Sequence, residues 1–323
     1  MDIALFERDW NNTLYYFIMN ADEQIYLRYG GRDARGPLTY LDLNSLELAL
    51  AKGLELDQKY RKGELKKTEK PQPVFPRQIP PLVERTFARN QCVECHLIGD
   101  YQLIHREQTG KLNKQTDMFR WPDIRTIGIE LDVPKGLVVK EARSGVQAAG
   151  MRAGDRITAI NGTAVWSFGD LQYFYDKVPR DAKRMDMTVD RAGEPVQLSI
   201  ALPPLWWVTD LRFRQLSIDP RAEFDSRPLT DAEKRKYDLK PDGFAGEVTR
   251  IGGFAEMLKV HELKVGDVIC AVDGVDRDDV ANTPELFIKL HKTAGDTVTL
   301  DVIRDGKRIK MPVKTQRMFF RKS

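Results

Sequence analysis

The densest chemistry in the chain is Cys92-Val93-Glu94-Cys95-His96. Two thiols three residues apart reach the two vinyl groups along one edge of a haem, and the adjacent imidazole then lies beneath the iron. That spacing matches covalent c-type haem attachment, with Cys92 and Cys95 as thioether donors and His96 as proximal iron ligand. Other uses of these residues compete. Zinc wants four ligands; Cys92, Cys95 and His105 are available, but His96, next to Cys95, is poorly aimed as the fourth. A bare redox dithiol and an unmodified structural pair are further uses. For the distal face of a haem the candidates are His105 in YQLIHRE, the preferred one, and Met118 in TDMFRWP. A His/His pair lowers the potential and a His/Met pair raises it. An open sixth position is a third outcome. The third cysteine, Cys270, falls within VICAV and reads as a small core residue. Three cysteines cannot form a disulfide framework.

These residues must be held by something. A short helix is expected at 82–90, just before the motif. Ahead of it, 61–81 is rich in Lys and Arg and carries Pro71, Pro73, Pro76, Pro80 and Pro81, a spacing that blocks regular helix and central strand. It reads as an extended linker with solvated charge. The segment 82–121 is too short for a whole cytochrome c domain. A haem there needs shelter from a neighbouring face or a partner.

The first 60 residues read as strand, strand, helix. TLYYFIMNADEQIYLRY breaks at Asn20-Ala21-Asp22-Glu23, a hairpin signal, and Gly30-Gly31 ends it. The helix that follows has Asn44 as expected N-cap with Glu47 as capping-box partner, and Leu43, Leu46, Leu50 and Leu54 as its apolar face. FIMNADEQIYLRYGG followed by an amphipathic helix resembles the second half of a thioredoxin-like domain. The βαβ half that would carry a redox cysteine pair is absent, and Asn11-Asn12-Thr13 stands where a proline is expected. The resemblance therefore implies no complete thioredoxin active site. It leaves open whether Met1 is the true start or a missing half-domain, with an export signal, lies upstream.

From about Thr126 the chain repeats itself. GMRAGDRITAINGTAV at 150–165 matches ELKVGDVICAVDGVDR at 262–277. Gly154-Asp155 pairs with Gly266-Asp267, Asn161-Gly162 with Asp273-Gly274, and Arg191-Ala192-Gly193 with Arg304-Asp305-Gly306, at offsets of 112, 112 and 113. Gly-Asp turns the chain into a buried strand, and Asn-Gly or Asp-Gly supplies the tight turn after it. The copies resemble PDZ domains of the type attached to bacterial periplasmic proteases. That resemblance implies a peptide added as a strand beside a glycine-containing carboxylate loop, against one helix. In the first copy the loop is Ile127-Gly128-Ile129, and the helix at 168–178 offers Leu171 and Phe174 as pocket residues. In the second, Arg214-Gln215-Leu216 stands at the expected place without glycine and an insertion at 217–242 follows, so that groove is expected altered or closed. Trp206 and Trp207, between the copies, read as interdomain packing, and His261 and His291 as ordinary surface or packing residues.

The expected fold class is α+β and multidomain: a partial thioredoxin-like segment (1–60), a linker (61–81), a haem-binding segment (82–121), two PDZ-like β-barrel or sandwich domains (122–202 and 203–316) and a tail (317–323). Composition agrees with a folded chain. It has 323 residues, 41% hydrophobic and 31% charged, with 51 Lys+Arg against 48 Asp+Glu. A net charge of +3 gives no reason to expect nucleic acid. No apolar run reaches membrane-spanning length, and MDIALFERDW lacks the features of a signal peptide. No GxSxG or protease triad accompanies the repeats. The architecture resembles bacterial envelope proteins, magnetosome-associated ones included, that join PDZ modules to CxxCH segments. It implies a periplasmic or other extracytoplasmic haem c protein that docks peptides or protein tails and passes or senses electrons with a partner protein. The alternative is a non-redox PDZ scaffold with a structural or metal-bound Cys pair.

Overall fold

Why the first helix sits where it does is set by its small residues. The computed structural model, which describes residues 1–214 and 216–318, forms the expected hairpin from β1 (Tyr15–Met19) and β2 (Ile25–Gly30). Helix α1 (Leu43–Arg61) follows, capped by Asp42, whose carboxylate accepts from the Asn44 N–H; Asn44 is therefore inside the helix and is not its cap. The buried face is Ser45, Ala49, Gly53 and Leu56. The expected leucine stripe mostly faces outward: Leu43 is 78% exposed and Leu54 68%, while Leu46 is partly buried. A Cβ on Gly53 would collide with Ile18. Small side chains let the helix settle on Leu27 and Tyr29 of β2, and that close approach wins over the leucines.

The proline-rich stretch is tied down. Gln24 exchanges two hydrogen bonds with Thr68, at 2.8 and 2.9 Å, and the Ile3 N–H donates to the Val74 carbonyl at 2.7 Å. Helix α2 (Pro80–Arg85) begins on its two prolines and is followed by a 3-10 turn that stops at Asn90, φ 54°; the single helix expected at 82–90 is thus two pieces. Helix α3 (Cys95–Gln108) starts at the second motif cysteine.

The first repeat comprises β3 (Ile129–Leu131), β4 (Val139–Ala142), α4 (Ser144–Ala148), β5 (Arg156–Ile160), β6 (Thr163–Ala164), α5 (Phe168–Asp176), β7 (Arg184–Arg191) and β8 (Glu194–Ala201). β3 pairs with β4, and the other strands form an antiparallel sheet in the order β6-β5-β7-β8. The second comprises β9 (Phe224–Pro228), α6 (Asp231–Lys236), β10 (Gly246–Ile251), β11 (Val268–Val272), α7 (Pro284–His291), β12 (Thr297–Arg304) and β13 (Lys307–Lys314), in one sheet ordered β13-β12-β11-β10-β9. The architecture is mixed α and β with several antiparallel sheets.

The repeat seen in sequence is a repeat of contacts. Arg191 forks onto Asp155 at 2.8 and 2.7 Å and reaches the Gly150 carbonyl. Arg304 forks onto Asp267 at 2.8 and 2.7 Å and reaches the Glu262 carbonyl. Both aspartates are almost fully buried, so the fork is what makes their charge tolerable. Asn161-Gly162 and Asp273-Gly274 both have two successive positive φ angles, as a tight hairpin turn needs. The side chain of each turn's first residue accepts the N–H of the neighbouring strand, Asp186 in one copy and Thr299 in the other. Cys270 is buried and its thiol donates to the Asp301 carbonyl at 3.3 Å, as a core cysteine should.

The chain divides into two compact units, Met1–His105 with Gln115–Arg214, and Arg106–Lys114 with Gln215–Ser323. The N-terminal segment, proline-rich stretch and first repeat thus share one unit, and 203–214 belongs with them, not with the second repeat. Trp206 and Trp207 pack inside that first unit, Trp206 on Tyr175 at 4.9 Å and Trp207 on Phe119 at 5.5 Å. Of the expected tail, 319–323 lie outside the described residues.

Candidate functional site

A peptide groove in the first repeat would be made by a loop, a strand and a helix. The loop is a 3-10 turn, Ile124–Ile127, capped by Asp123 and ended by Gly128 at φ 93°. Glycine is required there twice over: the angle is left-handed, and a Cβ would collide with the Arg143 carbonyl. The Gly128 carbonyl in turn accepts the Arg143 N–H at 2.8 Å. This fixes the start of β3, which among the described residues pairs with β4 alone. Within the loop the Thr126 and Gly128 N–H groups are spent on Asp123 and Arg125 carbonyls. The charge offered to a ligand comes instead from Arg125, which Asp123 holds at 2.9 and 3.1 Å through Nε.

The helix presents a different face from the one expected. Leu171 is fully buried in the core, and so are Ile127 and Ile129. Phe174 turns the other way, into a cavity of about 590 Å³ shared with Tyr26, Arg28, Thr68 and Tyr173. Phe168, Gln172 and Tyr175, spaced four and three residues apart, share another face of the helix. Tyr175 lies 3.5 Å from the Thr126 hydroxyl and packs on Trp206, filling the loop end. Phe168 and Gln172 meet residues 31–40 of the N-terminal segment. The other side of α5 carries β2: the Arg28 N–H donates to Asp170 at 2.9 Å, Ser167 donates to the Arg28 carbonyl, and the Arg28 guanidinium stacks on Tyr173 at 3.9 Å. Burial pushes the Asp170 carboxyl up to about 7 despite the neighbouring Arg28.

The second repeat has the same loop in a place the sequence hid. Glu223, φ 57°, is the counterpart of Gly128, because its carbonyl accepts the Gly252 N–H at 2.7 Å as the Gly128 carbonyl accepts Arg143. The expected position, Arg214-Gln215-Leu216, is out of register; Gln215 itself lies outside the described residues. The stretch expected to be an insertion, 217–242, holds β9 and α6, and the extra length lies between β9 and β10. Here the helix packs against its own strand, α7 on β9, and burial pushes the Glu285 carboxyl on α7 up to about 7. Lys289 binds Asp219 at 2.8 and 3.0 Å. His261 packs on Phe224, and His291 meets Asp278 at 2.8 Å.

At the Cys-x-x-Cys-His segment both thiols are exposed and unbridged. Cys95 begins α3 and accepts from Arg8 Nη2 at 3.1 Å; Arg8 stacks on Trp10, and Trp10 lies against Gly99 one turn further along. His96 Nε2 is 3.1 Å from Glu94. Both thiols are accessible and the imidazole is on the first turn of α3, the donor set a covalent haem would need. Of the two residues expected at the second axial position, His105 does not fit. His105 is on the same helix, nine residues on, which is roughly 13 Å along the axis and about half a turn round; the two rings cannot converge on one iron. Met118 is fully buried. Nor does zinc find a set: among the described residues no three His, Cys, Asp or Glu side chains gather as a metal-ligand group. The 590 Å³ cavity includes none of Cys92, Cys95 and His96 in its lining. No helix among the described residues is long and apolar enough to cross a membrane.

No protein-family model and no curated protein matches the chain. Among solved structures it is similar to the HtrA-type protease AlgW with a decapeptide, at 11% identity and a TM-score of 0.26, over 52% of this chain and 56% of that one. A serine-to-alanine variant of the same protease with a decapeptide gives 17% identity and a TM-score of 0.26, over 31% of this chain and 30% of that one.

Proposed function

We propose that the chain is a docking protein whose first repeat is a PDZ-like module that receives an extended peptide or protein tail between β3 and α5, and that the 92–96 segment carries a covalent haem c in an extracytoplasmic compartment. The observation that carries the docking reading is Gly128: a left-handed glycine pressed on the Arg143 carbonyl opens β3 beside a charged loop and a helix face. Cys92 and Cys95 would hold the haem and His96 would turn from Glu94 to reach the iron. The group would supply one-electron chemistry, and the chain would supply attachment and a docking surface. Expression with a cytochrome-maturation system, followed by intact mass and a pyridine haemochrome spectrum, tests the haem. An unmodified mass and no haemochrome would remove it.

The second reading is a docking scaffold without redox chemistry. It is favoured by the contacts the motif side chains already make, Cys95 with Arg8 and His96 with Glu94, both at 3.1 Å. Both readings share the groove, so both require saturable binding of a carboxylate-ended peptide.

A further inference from the structure

Residues 31–40 bridge α5 and β3. On the helix side, a Cβ on Gly31 would stand 2.5 Å from the Phe168 ring, Gln172 Nε2 donates to the Arg32 carbonyl at 3.2 Å, and Tyr40 stacks on Phe168 at 3.4 Å. On the strand side, Arg35 donates to Glu130 of β3 at 2.8 Å. Between these anchors a tight turn closed by an Asp33–Gly36 bridge carries the Asp33 carboxylate to 3.4 Å from Arg125 Nε in the loop. The Asp33 side chain is 2% exposed. It also accepts from the Arg35 N–H and from Thr39, so its charge is fully partnered.

We propose that residues 31–40 are a cis ligand of the first groove, with Asp33 standing where an incoming peptide presents its terminal carboxylate, so that an outside peptide binds only after this segment leaves. This rests on the docking reading above and adds its regulation. A competitor must bring a carboxylate to Arg125 and an aromatic or apolar side chain to Phe168 in place of Tyr40. Among the described residues no backbone hydrogen bond joins 31–40 to β3. The segment is therefore held by side chains, and its release breaks no sheet. The Arg35–Glu130 pair, with side chains 40% and 29% exposed, is the part that salt weakens.

The test uses the full chain and two sets of fluorescent decapeptides, free acids and the same sequences as C-terminal amides. Removing a competitor raises the binding-competent fraction, so Asp33→Ala/Arg35→Ala should bind the acids at least about tenfold more tightly than wild type. The acids should outbind the amides, and a synthetic peptide of residues 31–40 should compete. Arg35→Gln, a milder change at a partly exposed side chain, should tighten binding about threefold and serves if the double variant does not fold. Equal affinity of wild type and variants for the acids would overturn the cis ligand and leave docking standing. Saturable binding by none of them would sink the docking reading and the cis ligand together.

Discussion

The two repeats share a frame and differ at the groove. Both have the buried Arg–Asp fork, the Gly-Asp entry and the two-residue left-handed turn, with hydrogen bonds matched to about 0.2 Å. At the loop, however, one has Gly128 and the other Glu223. Across the groove, one helix is met by residues 31–40 and the other packs against its own strand, β9. The lesson is that the frame is held by turn and fork chemistry far from the groove. The loop and helix face are then free to differ, one toward an exchangeable occupant and one toward closure.

The largest contrast should come from the loop position. Gly128→Ala forces a left-handed alanine against a carbonyl and should cost about 3 kcal/mol or more. Glu223→Gly relieves a left-handed glutamate and should be neutral or stabilising by up to about 1 kcal/mol. Urea unfolding of both variants reads the opposite signs; a common sign would break the equivalence of the two loops. Next come the forks. Asp155→Asn and Asp267→Asn each leave a guanidinium short of its charged partner and should each cost about 2–3 kcal/mol. Their costs should agree within about 0.5 kcal/mol if the frames are alike.

A pH series sharpens the helix comparison. Asp170 and Glu285 are both raised to about 7 by burial, whereas an unfolded carboxyl titrates near 4. Between about pH 4 and 7 the folded chain keeps protons that the unfolded chain has lost. Stability therefore falls as pH rises through that window, by at most about 1.4 kcal/mol per pH unit for each group, and levels off above it. The slope should be shallower for Glu285, a quarter of whose side chain meets solvent. Asp170→Asn should flatten the slope of the first unit only, and Glu285→Gln that of the second only; unchanged slopes would mean the carboxyls are charged throughout. The smallest effect lies outside both repeats. Leu50→Gln on the exposed side of α1 should shift the urea midpoint by less than about 0.5 kcal/mol equivalent.

What could be read beforehand was local chemistry. Gly-Asp, Asn-Gly and the β1–β2 hairpin announce themselves because a few residues dictate the backbone. The face of α1 did not, since Ser45, Ala49 and Gly53 are buried for their smallness and the leucines are left outside. The second loop escaped because its glycine is a glutamate and the added length falls after the strand instead of before it. On α5, spacing alone could not say whether Leu171 and Phe174 or Tyr175 meets the loop; that phase depends on what packs behind. The occupancy of the groove by 31–40 is a tertiary contact with a partner more than 90 residues away, and no local signal marks it.

Displacement of 31–40 by an outside peptide is tested most directly by hydrogen exchange of the full chain, with and without saturating free-acid decapeptide. It predicts slower exchange at 129–131 and 168–175, faster exchange at 31–40 as the segment is displaced, and no change at 224–228 or 284–291. Protection of 224–228 and 284–291 instead, or no change at 129–131 under saturation, would contradict it.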